Sequence, residues 1–430
     1  MNTIIWFRND LRVQDNVSLL HAMKGKKVLA YYCFESVFFQ EDEYGFKRTE
    51  HFRAKFLIET ITVLKEQLKK LNIPLFVYQG ESSKHLVNLI NLHQIDSVYV
   101  QREWTRDERA ILNSVKNKLT TTKFFENFDQ FLFHPEDVPY ASYDSIPEIF
   151  TSFRKKCEHL VKVRPIHRVT KKLPLENNVE NNTHIPTLQE LGLVSFTVDD
   201  RTAFPFKGGT VEAQKRMDHY FWKSKKLAVY KKTRNGLIGI DYSSKLSAWL
   251  ANGSLSPRMI YWEVKNFENE ITKNQDTYWL IFELIWRDFF KYISLKHQNS
   301  IFHKGGILNK EYDWRSNDTI KTDWINGITK EPFVNANMKE LKLTGWMSNR
   351  GRQNVASFWS KAQQQDWRIG AAYFESMLID YDVHSNYGNW MYASGVGSDP
   401  RDRTFNIKLQ AERYDGNGKY QRLWLQDTLF

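Results

Sequence analysis

Two patterns of apolar residues divide the chain. Short apolar runs recur five times in the first 130 residues, separated by segments with an apolar residue every three or four positions. This alternation is typical of βαβ units, so we predict an α/β domain with a doubly wound parallel sheet over residues 1–133. The five predicted strands are Ile4–Phe7, Val28–Phe34, Leu75–Tyr78, Val98–Val100 and Phe124–Phe125.

The periodicity weakens over residues 134–205, where prolines recur and an asparagine-rich stretch at 176–182 is typical of an exposed loop. We predict a long connector there. From residue 206 to 430 the pattern is helical, most clearly over Asp276–His297, for which Asp276 is the expected N-cap. The predicted architecture is therefore an α/β domain, a linker and an all-helical domain.

Composition adds a basic and aromatic character. The 61 Lys and Arg against 50 Asp and Glu give a formal charge of +11, which favours polyanions such as nucleic acid. Aromatic residues make up 15% of the chain, with 14 Trp, and this surplus suits stacking on bases or on a flat cofactor. A solvated basic surface without a partner is the alternative interpretation.

The cysteines and the apolar runs exclude several classes of protein. Cys33 and Cys157 lie far apart without a Cys-x-x-Cys spacing, so neither a disulfide framework nor a structural zinc site is indicated, and a reducing, cytoplasmic environment is expected. The apolar run at 3–7 is too short for a signal peptide, and no run is long enough to span a membrane. No Gly-x-Gly-x-x-Gly follows the first strand, so a cofactor is expected to bind elsewhere.

Candidate chemistry begins in the long predicted helix. Glu283, Trp286 and Arg287 are spaced three and four residues apart, so they share one helix face. A Glu283–Arg287 ion pair across one turn is the simplest interpretation. The many large apolar residues around it indicate instead a buried pocket, because buried ions need partners or a function.

Three further polar clusters follow the same logic. Residues 344–354 supply two arginines and several amides that suit a phosphate or an anionic cofactor, with a solvated basic loop as the alternative. Residues 378–392 combine two aspartates with His384 but complete no metal ligand set, so no metal is predicted. Ser243 or Ser244 at a helix start would offer free N–H groups to a phosphate, with an ordinary capped helix as the alternative.

Together these segments resemble the photolyase/cryptochrome superfamily, and within it the DASH-type cryptochromes. The similarity extends from Trp6–Arg12 to Tyr420–Leu425. Four motifs appear in the family's order, namely Ser243–Ser247, Glu283–Arg287, Thr344–Arg350, and Asp380–Asp382 with Asn386 and Trp390. Chance recurrence of all four in this order is negligible.

The resemblance implies FAD, folded into a U, in the helical domain. The residues implied at its phosphates are Tyr230, Ser243, Ser244, Lys245, Leu246 and Ser247. Those implied around the flavin ring are Arg287, Asp380, Asp382 and Asn386, with Asn386 facing flavin N5 and Arg352 pairing with Asp380. Trp390, Trp367 and Trp314 match the family's electron-transfer chain, although Trp367 has a place in the core as its alternative role.

The implied activity is blue-light-driven repair of cyclobutane pyrimidine dimers by photoinduced electron transfer. The residues implied around the flipped-out dimer are Glu283, Trp286, Asn349, Arg350, Gln353 and Tyr392, of which Glu283 and Asn349 take a catalytic part. Tyr392 and Gln353 stand where duplex-specific photolyases carry an indole and a methionine, so a preference for single-stranded DNA is expected. The expected protein is a monomer.

Other functions fit part of the same pattern. A photosensory or regulatory cryptochrome would bind DNA or RNA without significant repair. Repair of the six-four photoproduct is disfavoured, because the pocket lacks the expected pair of histidines. The resemblance also implies a second chromophore in the N-terminal domain, 5,10-methenyltetrahydrofolate, with Glu103 as the residue that contacts it.

Overall fold

The computed structural model describes residues 1–399 and 401–426. A five-stranded sheet, parallel throughout, forms the first part of the chain, with the strand order β3-β2-β1-β4-β5. Its strands are β1 (Asn2–Trp6), β2 (Lys27–Glu35), β3 (Leu75–Gly80), β4 (Ser97–Gln101) and β5 (Lys123–Asn127). All five predicted strands are confirmed, as is the doubly wound topology.

Helices cover both faces of this sheet. They are α1 (Val17–Ala22), α2 (His51–Lys70), α3 (Ser82–Leu92) and α4 (Arg106–Lys116). Ile5 and Val28 pack against α1 and α2, whereas Ile4 and Leu29 pack against α3 and α4, because successive strand residues point to opposite faces. The strand order reverses between β1 and β4, and such a reversal leaves a crevice at the carboxyl ends of the strands.

The region between β5 and the helical part is mostly irregular but well packed. It contains helix α5 (Phe150–Leu160), which the weak periodicity does not predict. Val169 and Leu191 are buried in the core of the α/β part, and the Asn177 amide donates to the Val28 carbonyl oxygen. The connector therefore lies against the sheet domain, and its bounds at 134 and 205 stay a prediction.

The remainder of the chain is helical, as predicted. Its helices are α6 (Thr210–Asp218), α7 (Tyr230–Thr233), α8 (Ser247–Ala251), α9 (Pro257–Glu270), α10 (Gln275–His297), α11 (Asp318–Asn326), α12 (Pro332–Thr344), α13 (Asn349–Ser357), α14 (Trp367–Met377), α15 (Val383–Ser394), α16 (Ile407–Asp415) and α17 (Lys419–Leu425). Asn274, and not Asp276, is the N-cap of α10, because Asn274 and Thr277 form a reciprocal capping box. Asp276 instead accepts a hydrogen bond from the Lys232 N–H.

A buried ionic network joins the two parts. Arg258 of α9 contacts Asp15 at 2.9 Å and Asp129 at 2.5 Å, and all three side chains are at most 2% exposed. Arg12 contacts the other oxygen of Asp129 at 3.1 Å. Because buried charges need such partners, this network fixes how the helical part sits on the sheet domain. None of the helices described here is long and apolar enough to cross a membrane.

Candidate functional site

A cavity of about 440 Å³ opens within the helical part, and we call it the central cavity. Its walls come from α10, α13, α15 and the loop before α8. The residues of the predicted site that line it are Tyr230, Ser243, Ser244, Lys245, Leu246, Ser247, Glu283, Trp286, Arg287, Asn349, Arg352, Gln353, Asp380, Asp382 and Tyr392. The structure thus brings together residues that the chain separates by up to 162 positions, counted from Tyr230 to Tyr392.

One end of the central cavity is the loop at 243–246. Helix α8 begins at Ser247, so the expectation of a helix start at Ser243 or Ser244 is wrong by several residues; Lys245 adopts a left-handed φ of 62° just before it. Within the described chain, the backbone N–H groups of residues 243–246 have no hydrogen-bond acceptor. Arg216, which the sequence analysis missed, holds the loop through the Ser243 and Ser244 carbonyl oxygens at 2.9 and 3.0 Å. The loop therefore presents free donors to the cavity.

Two aspartates with fixed partners line the same cavity, beside this loop. Arg352 donates to both oxygens of Asp380 at 2.9 and 3.0 Å, the pairing that the resemblance implied, and the Ser247 hydroxyl donates to Asp380 Oδ2 at 2.7 Å. Lys291 Nζ lies 3.0 Å from Asp382 Oδ2, a contact the sequence analysis missed. Burial alone would raise the pKa of Asp382, but the neighbouring Lys291 and other cations hold it well below its ordinary value.

Glu283 and Arg287 do not form the ion pair across one turn of α10 that is the simplest interpretation of their spacing. Glu283 pairs with Arg234 at 2.8 Å, whereas Arg287 donates to the carbonyl oxygens of Gln130 at 2.6 Å and Leu250 at 3.2 Å. Arg234 and Gln130 lie in distant segments, so no helical spacing could reveal them. Burial raises the pKa of Glu283, and Arg234 partly offsets that rise.

Trp286 and Tyr392 are partly exposed and line the central cavity, and we call this part of the cavity its mouth. The Trp286 and Tyr392 rings meet edge to face at a centroid distance of 6.1 Å and an angle of 77°. The ring of Phe150, on α5, packs against the Trp286 ring, with 3.7 Å between the ring centroids. Arg350 does not line the cavity; its guanidinium donates to Gln353 Oε1 at 2.9 Å and Asn235 Oδ1 at 3.2 Å. Its guanidinium also lies over the Tyr414 ring, 4.5 Å from the ring centroid, and no carboxylate in the described chain pairs with it.

Asn386 and Trp390 line a smaller cavity that adjoins the central one. The two cavities share several walls, including Arg352, Asp380 and Asp382. The Asn386 amide donates to the Ala371 carbonyl oxygen at 2.9 Å, which fixes the orientation of its side chain. The Trp390 indole N–H is buried and has no partner among the described residues.

Trp367 and Trp314 line neither the small cavity nor the central cavity. Trp367 is fully buried and donates its indole N–H to the Lys304 carbonyl oxygen at 2.9 Å. Trp314 stacks on the partly exposed Tyr312 ring at a centroid distance of 5.0 Å. Trp314 therefore lies next to a partly exposed ring, whereas Trp367 lies in the core.

Glu103 lies apart from the central cavity, in the crevice where the strand order reverses. This interdomain cavity is lined by Glu103, Arg8 and the ends of β1, β2 and β4, and it reaches Lys291 and His384 of the helical part. Glu103 is buried, and its carboxylate accepts from Gln101 Nε2 at 2.7 Å. Burial raises its pKa to about 7, against the opposing effect of Arg8 and Lys291. His384 also lines this cavity, and its Nδ1 lies 2.7 Å from the Ser294 hydroxyl oxygen.

Comparison with known proteins decides the family. The family described as "DNA photolyase" matches residues 3–174, and the "FAD binding domain of DNA photolyase" matches residues 279–428. The Cryptochrome DASH of Danio rerio is 41% identical over 99% of this chain and 83% of its own length, and that of Synechocystis sp. is 42% identical over 99% and 87%. The chain belongs to the cryptochrome DASH family.

Solved structures agree with this cryptochrome DASH assignment. The crystal structure of the Synechocystis sp. cryptochrome matches with a TM-score of 0.95 at 42% identity, covering 99% of this chain and 88% of that one. A bacterial class III photolyase from Agrobacterium tumefaciens matches with a TM-score of 0.80 at 25% identity, covering 98% and 86%. FAD is therefore the cofactor of this cryptochrome DASH, and three of the four sequence motifs fall inside the matched FAD-binding domain.

Proposed function

We propose that this cryptochrome DASH is a blue-light-driven carbon–carbon lyase that repairs cyclobutane pyrimidine dimers, with a preference for single-stranded DNA. One observation carries the proposal. One central cavity is lined both by the loop at 243–246, whose N–H groups are free, and by the polar and aromatic residues Glu283, Trp286 and Tyr392. A cofactor and a damaged base would thus share one chamber.

The residues of the central cavity fit FAD. The free N–H groups beside Ser243 and Ser244 suit its phosphates, because backbone donors without acceptors bind anions well. Tyr230, Lys245, Leu246 and Ser247 complete this wall. The residues proposed around the flavin ring are Arg287, Asp380, Asp382 and Asn386, with Arg352 holding Asp380 in place. FAD supplies the light-driven electron transfer, and the protein supplies orientation and charge.

The mouth of the cavity would receive the dimer. Glu283 and Asn349 would hydrogen-bond its pyrimidine edges, while Trp286 and Tyr392 pack against its apolar faces. Arg350, bonded to Gln353 of the cavity wall, would contact the DNA backbone, since it lacks a carboxylate partner in the described chain. Flipping a dimer out of the stack costs a few kcal/mol, and least for a single strand.

The preference for single strands rests on the chemistry of the mouth. Tyr392 and Gln353 make it more polar and offer less stacking area than an indole and a methionine would. Less binding free energy is then available to extract a dimer from a duplex. RNA would meet the same surface, and a monomer is sufficient, because every residue of the proposed site comes from one chain.

We also propose the route and the antenna implied by the family resemblance. Trp390, at the edge of the small cavity, would be the first electron donor, and Trp367 and Trp314 would carry the charge to the surface. The interdomain cavity would hold 5,10-methenyltetrahydrofolate against Glu103. Reconstitution with this folate should give an added near-ultraviolet absorption band that Glu103→Ala abolishes; an unchanged band in the variant would refute the antenna assignment.

Repair is tested directly with irradiated oligonucleotides. FAD-loaded, chemically reduced protein is mixed with single-stranded DNA that carries thymine dimers and is exposed to blue light. We expect dimer loss with the wild type, a large loss of rate with Glu283→Ala and Asn349→Ala, and no change with Arg201→Gln, a surface control paired with Asp199. Binding without any dimer loss would overturn the lyase proposal in favour of a photosensory or regulatory cryptochrome.

A further inference from the structure

Trp390 has an indole neighbour outside the expected electron-transfer chain. The ring of Trp324, on α11, lies edge to face with Trp390 at a centroid distance of 6.3 Å and an angle of 72°. Trp324 in turn packs on Trp359, with 4.8 Å between the ring centroids. These two residues are fully buried, and neither belongs to a motif that the sequence analysis singled out.

The close packing matters because electron exchange between aromatic rings falls steeply with their separation. Phe374 closes the remaining space, with its ring 5.1 Å from Trp390 and 6.4 Å from Trp324. The three indoles therefore form a continuous packed series within one core. Trp367, by contrast, packs its ring against Tyr387, with 6.0 Å between the ring centroids.

The described residues around Trp324 and Trp359 offer a positive charge no proton acceptor and no path to solvent. The Trp324 indole N–H has no partner among the described residues, and that of Trp359 donates to the Asp366 carbonyl oxygen at 2.8 Å. A carbonyl oxygen is too weak a base to take a proton from an oxidised indole. Tyr373, which packs on Trp324 at 5.7 Å, is itself buried with an unpartnered hydroxyl. A charge that arrives there can neither lose a proton nor reach solvent.

We propose that Trp390 feeds two branches: the surface branch through Trp367 to Trp314, and a closed branch through Trp324 to Trp359. The proposal rests on the proposed role of Trp390 as the first donor. Loss of one electron from Trp390 to the photoexcited flavin leaves a radical cation, and an electron from Trp324 or from Trp367 fills it. On the closed branch the positive charge rests on the packed Trp324–Trp359 pair until the electron returns from the flavin.

The two branches differ in their electron balance. Return on the closed branch restores both partners and consumes no reductant. On the surface branch an external thiol would give one electron to oxidised Trp314 and become a thiyl radical, so that Trp390 would not need its own electron back. The closed branch therefore lowers the yield of photoreduction.

Transient absorption of the FAD-loaded, oxidised protein after a blue flash tests the proposal. We expect Trp324→Phe to raise the yield of thiol-dependent photoreduction, and Trp367→Phe to lose that yield while retaining a tryptophan radical cation. Adding Trp324→Phe to Trp367→Phe should shorten the lifetime of that cation, because the charge is then confined to Trp390. Equal lifetimes in the single and double variants, with an unchanged yield in Trp324→Phe, would overturn the closed branch.

Controls separate this outcome from other failures. Trp424→Phe, a buried indole on α17 that packs against Arg201, should behave as the wild type. Trp359→Phe removes the far end of the branch and should also shorten the cation lifetime in the Trp367→Phe background, should Trp324→Phe fail to fold. If Trp390→Phe leaves all signals intact, the proposed function fails at its first donor, which is a different result from failure of the branch.

Discussion

At the scale of single residues, the central cavity depends on a few ion pairs that are well shielded from water. The Asp380 side chain is 3% exposed and the Arg352 side chain 24%. A carboxylate in such a place needs its partner, because removing one member leaves an unpaired buried charge. Loss of either partner of the Arg352–Asp380 pair should therefore destabilise the fold and disturb the proposed flavin site.

Arg352→Gln should lower the free energy of unfolding by about 3 kcal/mol and reduce the FAD content of purified protein. Chemical denaturation and the ratio of flavin to protein absorbance measure the two effects. Arg201→Gln is the matched control, since the Asp199 side chain of its pair is 20% exposed, and it should cost at most about 1 kcal/mol. Equal losses in the two variants would contradict the special role of the buried pair.

Glu103 gives the protein a pH dependence of known sign. Its pKa of about 7 in the folded state exceeds the ordinary value of 4.5. Between these pH values the folded chain holds a proton that the unfolded chain has released, so stability falls as the pH rises from 4.5 through 7. Relative to wild type, Glu103→Gln should gain on the order of 2 kcal/mol between pH 5 and pH 8.

Urea denaturation across this pH range measures the gain. Asp137→Asn is the control, because hydrogen bonding to Arg164 lowers the pKa of Asp137 and places its linkage below pH 4. Parallel stability curves for Glu103→Gln and wild type would contradict the prediction. The test needs protein without the folate, which would itself contact Glu103.

At the scale of elements, α10 and α15 meet through a glycine. A Cβ added at Gly388 would lie 2.3 Å from a ring carbon of Phe290, closer than non-bonded atoms allow. Gly388→Ala should therefore force the two helices apart or distort the ring, and lower the free energy of unfolding by about 2 kcal/mol.

Thermal or chemical denaturation checks this, and the double variant Gly388→Ala with Phe290→Leu provides the control. A smaller side chain at 290 should recover part of the loss, so the two changes should not be additive. Additive losses would show that the strain lies elsewhere.

The elements also show how far the sequence alone can predict this fold. The alternation of apolar runs placed all five strands, and the helical period placed α10, because both patterns reflect burial of one face. The start of α10 was wrong by two residues, since the side chains of Asn274 and Thr277 decide it. Helix α5 was missed because Phe150, Phe153 and Cys157 give it only a narrow buried face.

The candidate site could be predicted from the sequence less completely than the fold. Family motifs named most residues of the central cavity, but the partners of those residues came from unremarkable segments. Glu283 is held by Arg234, and Asp382 is held by Lys291. The loop at 243–246 is held by Arg216. Such contacts join residues far apart in the chain, and no local pattern in a single sequence encodes them.

At the scale of the whole molecule, a formal charge of +11 acts on any nucleic acid that approaches. Binding to a single strand releases counterions, so the logarithm of the affinity should fall linearly with the logarithm of salt concentration, by about 0.7 per neutralised phosphate. This slope counts the cations that contact DNA, which net charge alone cannot do.

Arg350, whose hydrogen bonds in the described chain go to the neutral Gln353 and Asn235 and whose guanidinium lies over Tyr414, is the cation expected to contribute to this count. Arg350→Gln should weaken binding of an undamaged single strand and reduce the slope by about 0.7, whereas Lys69→Gln, an exposed change on α2, should leave the slope unchanged. Fluorescence anisotropy of a labelled oligonucleotide over a series of salt concentrations measures both. A direct phosphate contact is needed to release a counterion at one defined position. If Arg350→Gln and Lys69→Gln both gave the wild-type slope, DNA would therefore be bound through the general electrostatic field of the protein and not at the mouth of the central cavity.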